Sequence, residues 1–390
     1  MIGERGLHVM HTIAGLQSSA GGTSNSVTTT CGELTRAGVE IELVSQEFGS
    51  PDDWSLQPEV RAVQARFARA VRLPVLGFVY STEYRQLVEQ TCREKGVQVV
   101  HDHGLWLPAN HAVASACRKL RMPLIVSTHG MLSKDAVKHQ RWKKVLAWHA
   151  YQRRDLDSAV AICVTSMQEA EDVRSKGCSQ PIAVIPHGVN VQAPRADTAS
   201  AGKKTALFLG RIHPIKGLLS LVEAWAAVRP VGWQVIVAGP DEDGYRSVVA
   251  AAVQQAGLGD TFKFSGAAYG QARDELYAGA SLFVLPSFSE NFGMAIAEAL
   301  ASGLPVIATK GTPWEVIVRQ GCGWWVDATV PALAGAIREA TSTPVGELHA
   351  MGSRGHILVR DNFGWSGVVS KLVALYAWAL GSGPRPGFVV

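Results

Sequence analysis

Short apolar, β-rich runs alternate with helix-like segments along nearly the whole chain, and no single motif constrains the fold as much. In the first half, Leu7–Ile13, Val39–Ser45, Val97–Val100, Leu124–Ser127, Ala159–Val164 and Ile182–Ile185 read as strands. Most end near Gly, Ser, Thr or His, as strand-to-loop exits do. The pattern restarts with Thr205–Leu209, Gln234–Ala238, Phe262–Phe264, Leu282–Leu285 and Val306–Ala308. Repeated strand–helix units imply a mostly parallel sheet with helices on both faces. Two such series predict an α/β protein of two Rossmann-like, doubly wound domains facing a central cleft. Between them Val191–Lys204 is rich in Ala, Ser, Pro and charge, as an interdomain linker is. The expected boundaries are a first domain over 1–190, a linker over 191–204 and a second domain over 205–364. Trp365–Leu380 reads as an amphipathic helix, and Gly381–Val390, with two prolines and no periodicity, as a loose tail.

Composition narrows the function classes. With 390 residues, 47% of them hydrophobic, each domain can bury its own core. A net charge of +4 is too small to argue for nucleic acid, and no basic block interleaved with aromatics resembles an RNA motif. Polar residues and glycine interrupt Met1–Ala20, so no signal peptide is expected, nor does any apolar stretch approach the length of a membrane span. The six cysteines form no Cys-x-x-Cys pair, which predicts reduced thiols in a cytoplasmic protein. The twelve histidines include no His-x-x-x-His. His101 and His103, flanking Asp102, come nearest to a metal cluster, but a loop is the expected setting and no metal is assigned.

Chemistry concentrates around Leu282–Leu285. That run is continuously apolar and closed by Pro286, a short buried strand by its pattern. Ser287 to Phe292 is then a loop at the carboxyl end of a strand, where open α/β sheets bind ligands. Ala295 to Ala301 is Ala/Leu-rich and stops at Gly303, so it reads as a helix. Glu290 sits in the loop, and Glu298 about two turns up the helix on nearly the same side. N–H groups near Gly293 and Met294 are ready for an anion. Such a device can hold polyhydroxylated rings and phosphates together. In FLGRIHPIKG, Arg211 offers a fixed fork for two oxygens and Lys216 a mobile point charge, both independent of any proton supplied by a partner. Gly21-Gly22, before a helix starting near Ser24–Val27, lets backbone N–H groups approach a ligand. No G-x-G-x-x-G occurs, which excludes the usual nicotinamide site.

The stretch PSFSENFGMAIAEALASGLPVIAT resembles the E-x7-E motif of glycosyltransferase family 4, which has the GT-B fold and retains anomeric configuration. Gly210-Arg211-x4-Lys216-Gly217 is similar to the family's diphosphate-binding pattern. On this resemblance His129, in IVSTHGM, matches the family's active-site histidine, a contact to a hydroxyl of the donor sugar. His129, Arg211, Lys216 and Glu290 form the expected catalytic set. The expected donor-binding set is Gly22, Gly239, Gly266, Asn291, Phe292, Gly293, Met294 and Glu298. Within it the loops at Gly239 and Gly266 would present backbone to the nucleobase, and Glu298 would hold the ribose hydroxyls. Asp102 and His103, in HDHGLW, would line the acceptor side. His187-Gly188-Val189-Asn190 is similar to the family's I-P-x-G-V-x segment, an interdomain element. The terminal helix would cross back onto the first domain.

Lys138–Arg154 carries six Lys/Arg and no acid, with Trp142, Leu146, Trp148 and Tyr151 between them. It reads either as a solvated helix with an apolar core face or as a surface for anionic lipid or a lipid-diphosphate acceptor. The expectation is a retaining, metal- and cofactor-independent hexosyltransferase of polysaccharide assembly. It would be cytoplasmic, and peripheral to the inner membrane face if that segment binds lipid. The sugar donor would be a nucleoside diphosphate sugar, UDP or GDP, and the acceptor a glycan, expected to be lipid-linked. Front-face displacement is expected, since no side chain is an obvious nucleophile. The alternatives are a nucleotide-sugar epimerase of the same fold and, from Asp241-Glu242-Asp243, a metal site of the GT-A kind. No motif position is lost, which argues against a catalytically dead binding module.

Overall fold

A computed structural model describes residues 6–16, 22–47, 64–73, 78–138, 140–191 and 204–390. The linker call, 191–204, and Gly21 therefore lie almost wholly outside the described residues. The chain divides into two compact units, Met1–His187 with Trp365–Val390, and Gly188–Gly364.

The first unit is built on a seven-stranded sheet. Its strands are β1 (His8–Ile13), β2 (Glu40–Glu47), β3 (Gln64–Arg69), β6 (Val99–His103), β7 (Leu124–Ser127), β8 (Ala161–Val164) and β9 (Ile182–Val184). They run in the order β3-β2-β1-β6-β7-β8-β9, parallel throughout. A separate antiparallel pair joins β4 (Val71–Leu73) to β5 (Phe78–Tyr80). Side chains on a strand alternate between faces, and two cores result. Met10, Val100, Leu124 and Val126 pack on one face, with Val113 from the helix Pro108–Leu120. Val9, Ile13, Val99 and Ile125 pack on the other with Val368, Leu372, Leu375 and Tyr376 from the terminal helix Trp365–Ala379.

The strands β4, β5 and, in the second unit, Gly323–Val326 have no counterpart among the expected ones, and three further elements depart from the sequence pattern. β3, of sequence QARFAR, is an edge strand with no apolar run to announce it. β6 continues through His103, so the loop expected at His101–His103 is instead strand, with both histidines buried. The tail expected to be loose is pinned: Ile182 N–H donates to Val390 O at 2.9 Å, Val184 N–H donates to Phe388 O at 2.9 Å, and Val389 is buried.

The second unit carries β10 (Lys204–Leu209), β11 (Trp233–Ala238), β12 (Phe262–Gly266), β13 (Leu282–Leu285), β14 (Val306–Thr309) and β15 (Gly323–Val326). They are parallel, in the order β12-β11-β10-β13-β14-β15. From β10 the chain passes to β11 on one side, while β13 lies on the other. The β10–β13 junction is thus a topological switch point, where loops diverge and leave a crevice at the carboxyl ends. Leu207, Phe208, Phe283 and Val284 are fully or almost fully buried there, which fixes where both following loops begin.

Candidate functional site

The loops after β10 and β13 hold the residues singled out in the second unit. After β10, Pro214–Lys216 forms a single 3-10 turn whose first residue is proline and whose N-terminus is capped by the His213 ring, accepting from Ile215 N–H at 3.1 Å. Gly217 closes that turn at φ 69°. A side chain at 217 would place its Cβ 2.1 Å from Pro286 O, so only glycine allows this close approach of the two loops. The approach is reinforced by Phe288 N–H donating to Ile215 O at 2.8 Å.

Lys216 Nζ meets Glu290 Oε1 directly, with side-chain exposures of 14% and 13%. Ser287 Oγ donates to the same oxygen at 2.7 Å, and Glu290 N–H donates to Gly311 O at 2.8 Å. The pair is thus clamped from three sides. Arg211 behaves differently: it is half-exposed and paired with Glu242. Asp241 accepts from Arg246 N–H at 2.9 Å. In the Asp241-Glu242-Asp243 run, then, two of the three carboxylates are engaged with the chain's own donors.

Helix Met294–Ala301 starts at Gly293 with no side-chain cap, so its first N–H groups are not consumed by a capping side chain. Phe292 and Trp314 pack together, and Trp314 Nε1 donates to Phe292 O, which fixes the chain just before the helix start. Asn291 belongs to the same loop. Glu298 does not meet Glu290's partners. It accepts from Arg273 Nη1 at 2.9 Å and from Tyr277 O–H at 2.9 Å. Burial raises its carboxyl above the ordinary range despite Arg273 beside it. Arg273 and Tyr277, on the helix Gly270–Gly279, were not foreseen, and nothing in their spacing from Glu298 could have flagged them. Gly239 has a structural duty: at φ 146° its missing Cβ admits Gly210 O, which a Cβ would meet at 1.8 Å. Gly239 N–H also donates to Gly266 O at 2.7 Å, tying the ends of β11 and β12 together.

In the first unit Gly22 opens the helix Gly22–Arg36 that follows β1, slightly earlier than the Ser24–Val27 start expected from its caps. His129 and Gly130 follow β7, with His129 at φ 48°. The loop is held by Glu169, also unforeseen: it accepts from Thr128 Oγ1 at 2.6 Å, from Gly130 N–H, and from Thr165 N–H and Oγ1 at 2.8 Å each. His129 bonds His103 at 3.0 Å through ring nitrogens and stacks on His187 at 5.8 Å between centroids. Burial pushes the His129 and His187 imidazoles down to about 4. Asp102 faces the opposite side of β6. Thr12 Oγ1 donates to one of its oxygens at 2.6 Å and Asn110 Nδ2 to the other at 2.9 Å, and burial pushes its carboxyl up to about 7. Both residues expected on the acceptor side, Asp102 and His103, are therefore buried within the sheet.

Parallel pairing of β1 with β6 sets His11 beside His101, and His103 lies two residues on, on the same face. Ligand nitrogens of His11, His101 and His103 fall within 4.8 Å of one another, the one described group of His, Cys, Asp or Glu close enough to hold a metal. Those nitrogens are occupied by hydrogen bonds to each other, to Tyr376 and to Ser127.

In Lys138–Arg154, the helix Arg141–Ala147 leaves Trp142 66%, Val145 46% and Leu146 62% exposed. Trp106 and Trp148 pack against each other with ring centroids 6.1 Å apart and planes tilted by 45°. The segment's apolar face thus divides between packing and solvent. No helix among the described residues is long and apolar enough to cross a membrane.

Two family profiles match the chain in series: "Glycosyl transferase 4-like domain" over residues 21–188 and "Glycosyl transferases group 1" over 192–356. GDP-mannose:cellobiosyl-diphosphopolyprenol alpha-mannosyltransferase of Xanthomonas campestris is 24% identical over 97% of this chain and 98% of its own length. Among solved structures, sucrose-phosphate synthase of Thermosynechococcus elongatus is similar with a TM-score of 0.76 and 21% identity, covering 97% of this chain and 100% of that one. HepE of Anabaena, in complex with UDP and glucose, gives 0.75 and 18%, covering 95% and 100%.

Proposed function

Because the chain belongs to the group 1 glycosyltransferases and has the GT-B fold, we propose that it moves a hexosyl group from a nucleoside diphosphate sugar to a hydroxyl of a lipid-linked glycan, with retention and without a metal. The observation that carries the reading is the nearly buried Lys216–Glu290 contact at the β10–β13 switch point, backed by Ser287. It sets a mobile cation beside a carboxylate where a sugar diphosphate would bind. UDP or GDP is the proposed nucleotide. The HepE structure holds UDP, and the Xanthomonas relative is named for GDP-mannose and a diphosphopolyprenol acceptor.

In the proposed step the acceptor oxygen bonds to the anomeric carbon on the face from which the phosphate leaves. The carbon–phosphate oxygen bond breaks, and the departing oxygen takes the acceptor's proton. Lys216, Arg211 and the N–H groups at Gly293 and Met294 stabilise the charge that develops on the diphosphate. Glu290 positions the sugar ring and Glu298 the ribose. Gly239 and Gly266 present backbone to the base, and Asn291 and Phe292, in the loop after β13, complete the donor-binding set. Gly22 meets the phosphate, His129 is the ligand contact supplied by the first unit, and Asp102 and His103 stand behind the acceptor side. Lys138–Arg154 is the proposed membrane contact: exposed Trp142 and Leu146 would enter the interface while Lys138, Arg141, Lys143 and Lys144 meet anionic headgroups.

The test incubates the protein with UDP- and GDP-hexoses, a polyprenyl diphosphate-linked sugar and EDTA, and reads the product's anomeric coupling by NMR. Transfer with retained configuration is expected. Inversion, activity lost in EDTA and restored by divalent metal, or epimerised sugar nucleotide without acceptor would each overturn the proposal.

A further inference from the structure

Six side chains of the first unit form one continuous hydrogen-bonded chain. Ser127 Oγ lies 2.8 Å from His101 Nε2, His101 Nδ1 lies 2.8 Å from Tyr376 Oη, and Tyr376 Oη lies 3.2 Å from His11 Nε2. His11 Nδ1 then lies 2.9 Å from His103 Nε2, and His103 Nδ1 3.0 Å from His129 Nε2. All are buried except His129, which is partly exposed and forms the outer end.

Burial depresses all four imidazoles, His11 to about 3 and His129 to about 4, so each is neutral near pH 7. A neutral imidazole has one N–H and one lone pair. Every His–His contact needs one of each, so the orientation of one bond dictates the next. The chain therefore has two self-consistent settings, and turning one member turns them all.

Tyr376 selects between them. Hydroxyl-donated hydrogen bonds are shorter than those donated by N–H. At 3.2 Å the His11 Nε2 contact lies beyond the range of a bond that a hydroxyl donates (about 2.5–3.0 Å) and within that of one accepted from His11 Nε2–H (about 2.7–3.2 Å). The hydroxyl proton therefore goes to His101 Nδ1 at 2.8 Å, while the 2.8 Å Ser127 contact fits either donor. Following that polarity outward, His103 Nε2–H donates to His11 Nδ1, and His129 Nε2–H donates to His103 Nδ1.

We propose that Tyr376, His11 and His103 are positioning residues that hold His129 as its Nε2–H tautomer, leaving Nδ1 as a hydrogen-bond acceptor toward a ligand hydroxyl. This rests on the reading of His129 as a ligand contact and deepens it. The terminal helix, whose residues are remote in sequence from His129, thereby sets which way that histidine bonds.

The test is long-range ¹H–¹⁵N correlation of histidine side chains in the full chain, which needs neither ligand nor turnover. In the unsubstituted protein His129 is expected as a single species, pyrrole-like at Nε2 and pyridine-like at Nδ1. Tyr376→Phe keeps the ring volume and removes the hydroxyl. With the present polarity, His11 Nε2–H would then be a buried donor without a partner, which is costly. Reversal leaves only a lone pair unused, so His129 should shift toward Nδ1–H, although residue 376 does not touch it. Ser127→Ala, at the far end, strands His101 Nε2–H and should act in the same direction. A merely structural role for Tyr376 would leave the His129 nitrogens unmoved. A wild-type His129 protonated on Nδ1, or ring nitrogens unshifted by both hydroxyl deletions, overturns the proposal. Failure of every sugar nucleotide in transfer assays would instead sink the reading of the activity and leave these spectra unchanged.

Discussion

Removing one member of the Lys216–Glu290 pair should do two separable things. Breaking a buried ion pair by deleting one partner costs about 3–5 kcal/mol, since the survivor is left charged and unpaired. Here each side chain keeps about a seventh of its surface in water, so the lower end applies: about 3 kcal/mol for Lys216→Met and for Glu290→Gln alike. The double variant leaves no orphan charge and should cost clearly less than the sum, with a coupling of about 2 kcal/mol, well above the roughly 0.5 kcal/mol scatter of independent sites. Urea unfolding of the four proteins closes the cycle. Turnover should not follow stability. Each single variant loses about 10²–10³ in rate, as when one preorganised charge at a reacting centre is removed, and the double variant recovers none of it. Additive stabilities would refute the pairing argument. Near-normal turnover in both folded single variants would refute the placement of the chemistry.

Gly217→Ala adds a Cβ 2.1 Å from Pro286 O at φ 69°; about 2 kcal/mol of stability and most donor affinity should go, read by thermal melting and sugar-nucleotide titration, and an unaffected affinity would count against the loop contact as the site's frame. Acidification should weaken the first unit. An imidazole titrating at about 4 when folded, as His129 and His187 do, and near 6.5 when unfolded withdraws about 2 kcal/mol between pH 7 and pH 5. Five histidines, His11, His101, His103, His129 and His187, share that sign, while Asp102, raised to about 7, works oppositely and offsets roughly one of them. Urea midpoints for the first unit that do not fall over this range would contradict the burial argument. Replacing Lys138, Arg141, Lys143 and Lys144 with Ala should abolish sedimentation with anionic vesicles; undiminished binding would remove the membrane contact.

Continuous apolar runs such as Leu282–Leu285 announce themselves, because a central parallel strand is covered on both faces. Edge strands such as β3 need no such run, and QARFAR offers none. Glu290, Lys216 and Glu298 are singled out in the sequence by residue type and by their place in the loops and helix that follow apolar strands. Their partners were not all legible: Arg273 reaches Glu298 across 25 positions, a contact set by where one helix packs on another strand's successor. The histidine chain was hidden for the same reason. His11 and His103 are 92 positions apart, and only the β1–β6 register makes them neighbours. Scanning for metal spacings along the sequence cannot detect a cluster assembled laterally across a sheet.

The first unit closes only with residues that follow the whole second unit in sequence. Val9, Ile13 and Leu43 await Leu372, Leu375 and Tyr376, and the exposed rim of β9 awaits Phe388–Val390. During synthesis at about 5–20 residues per second, the ribosome must deliver the entire second unit before that cover emerges. A nascent polypeptide therefore carries a half-clad sheet for on the order of ten seconds or more, a natural client for chaperones. Removing Phe388–Val390 would abolish this zipping step and favour edge-to-edge self-association.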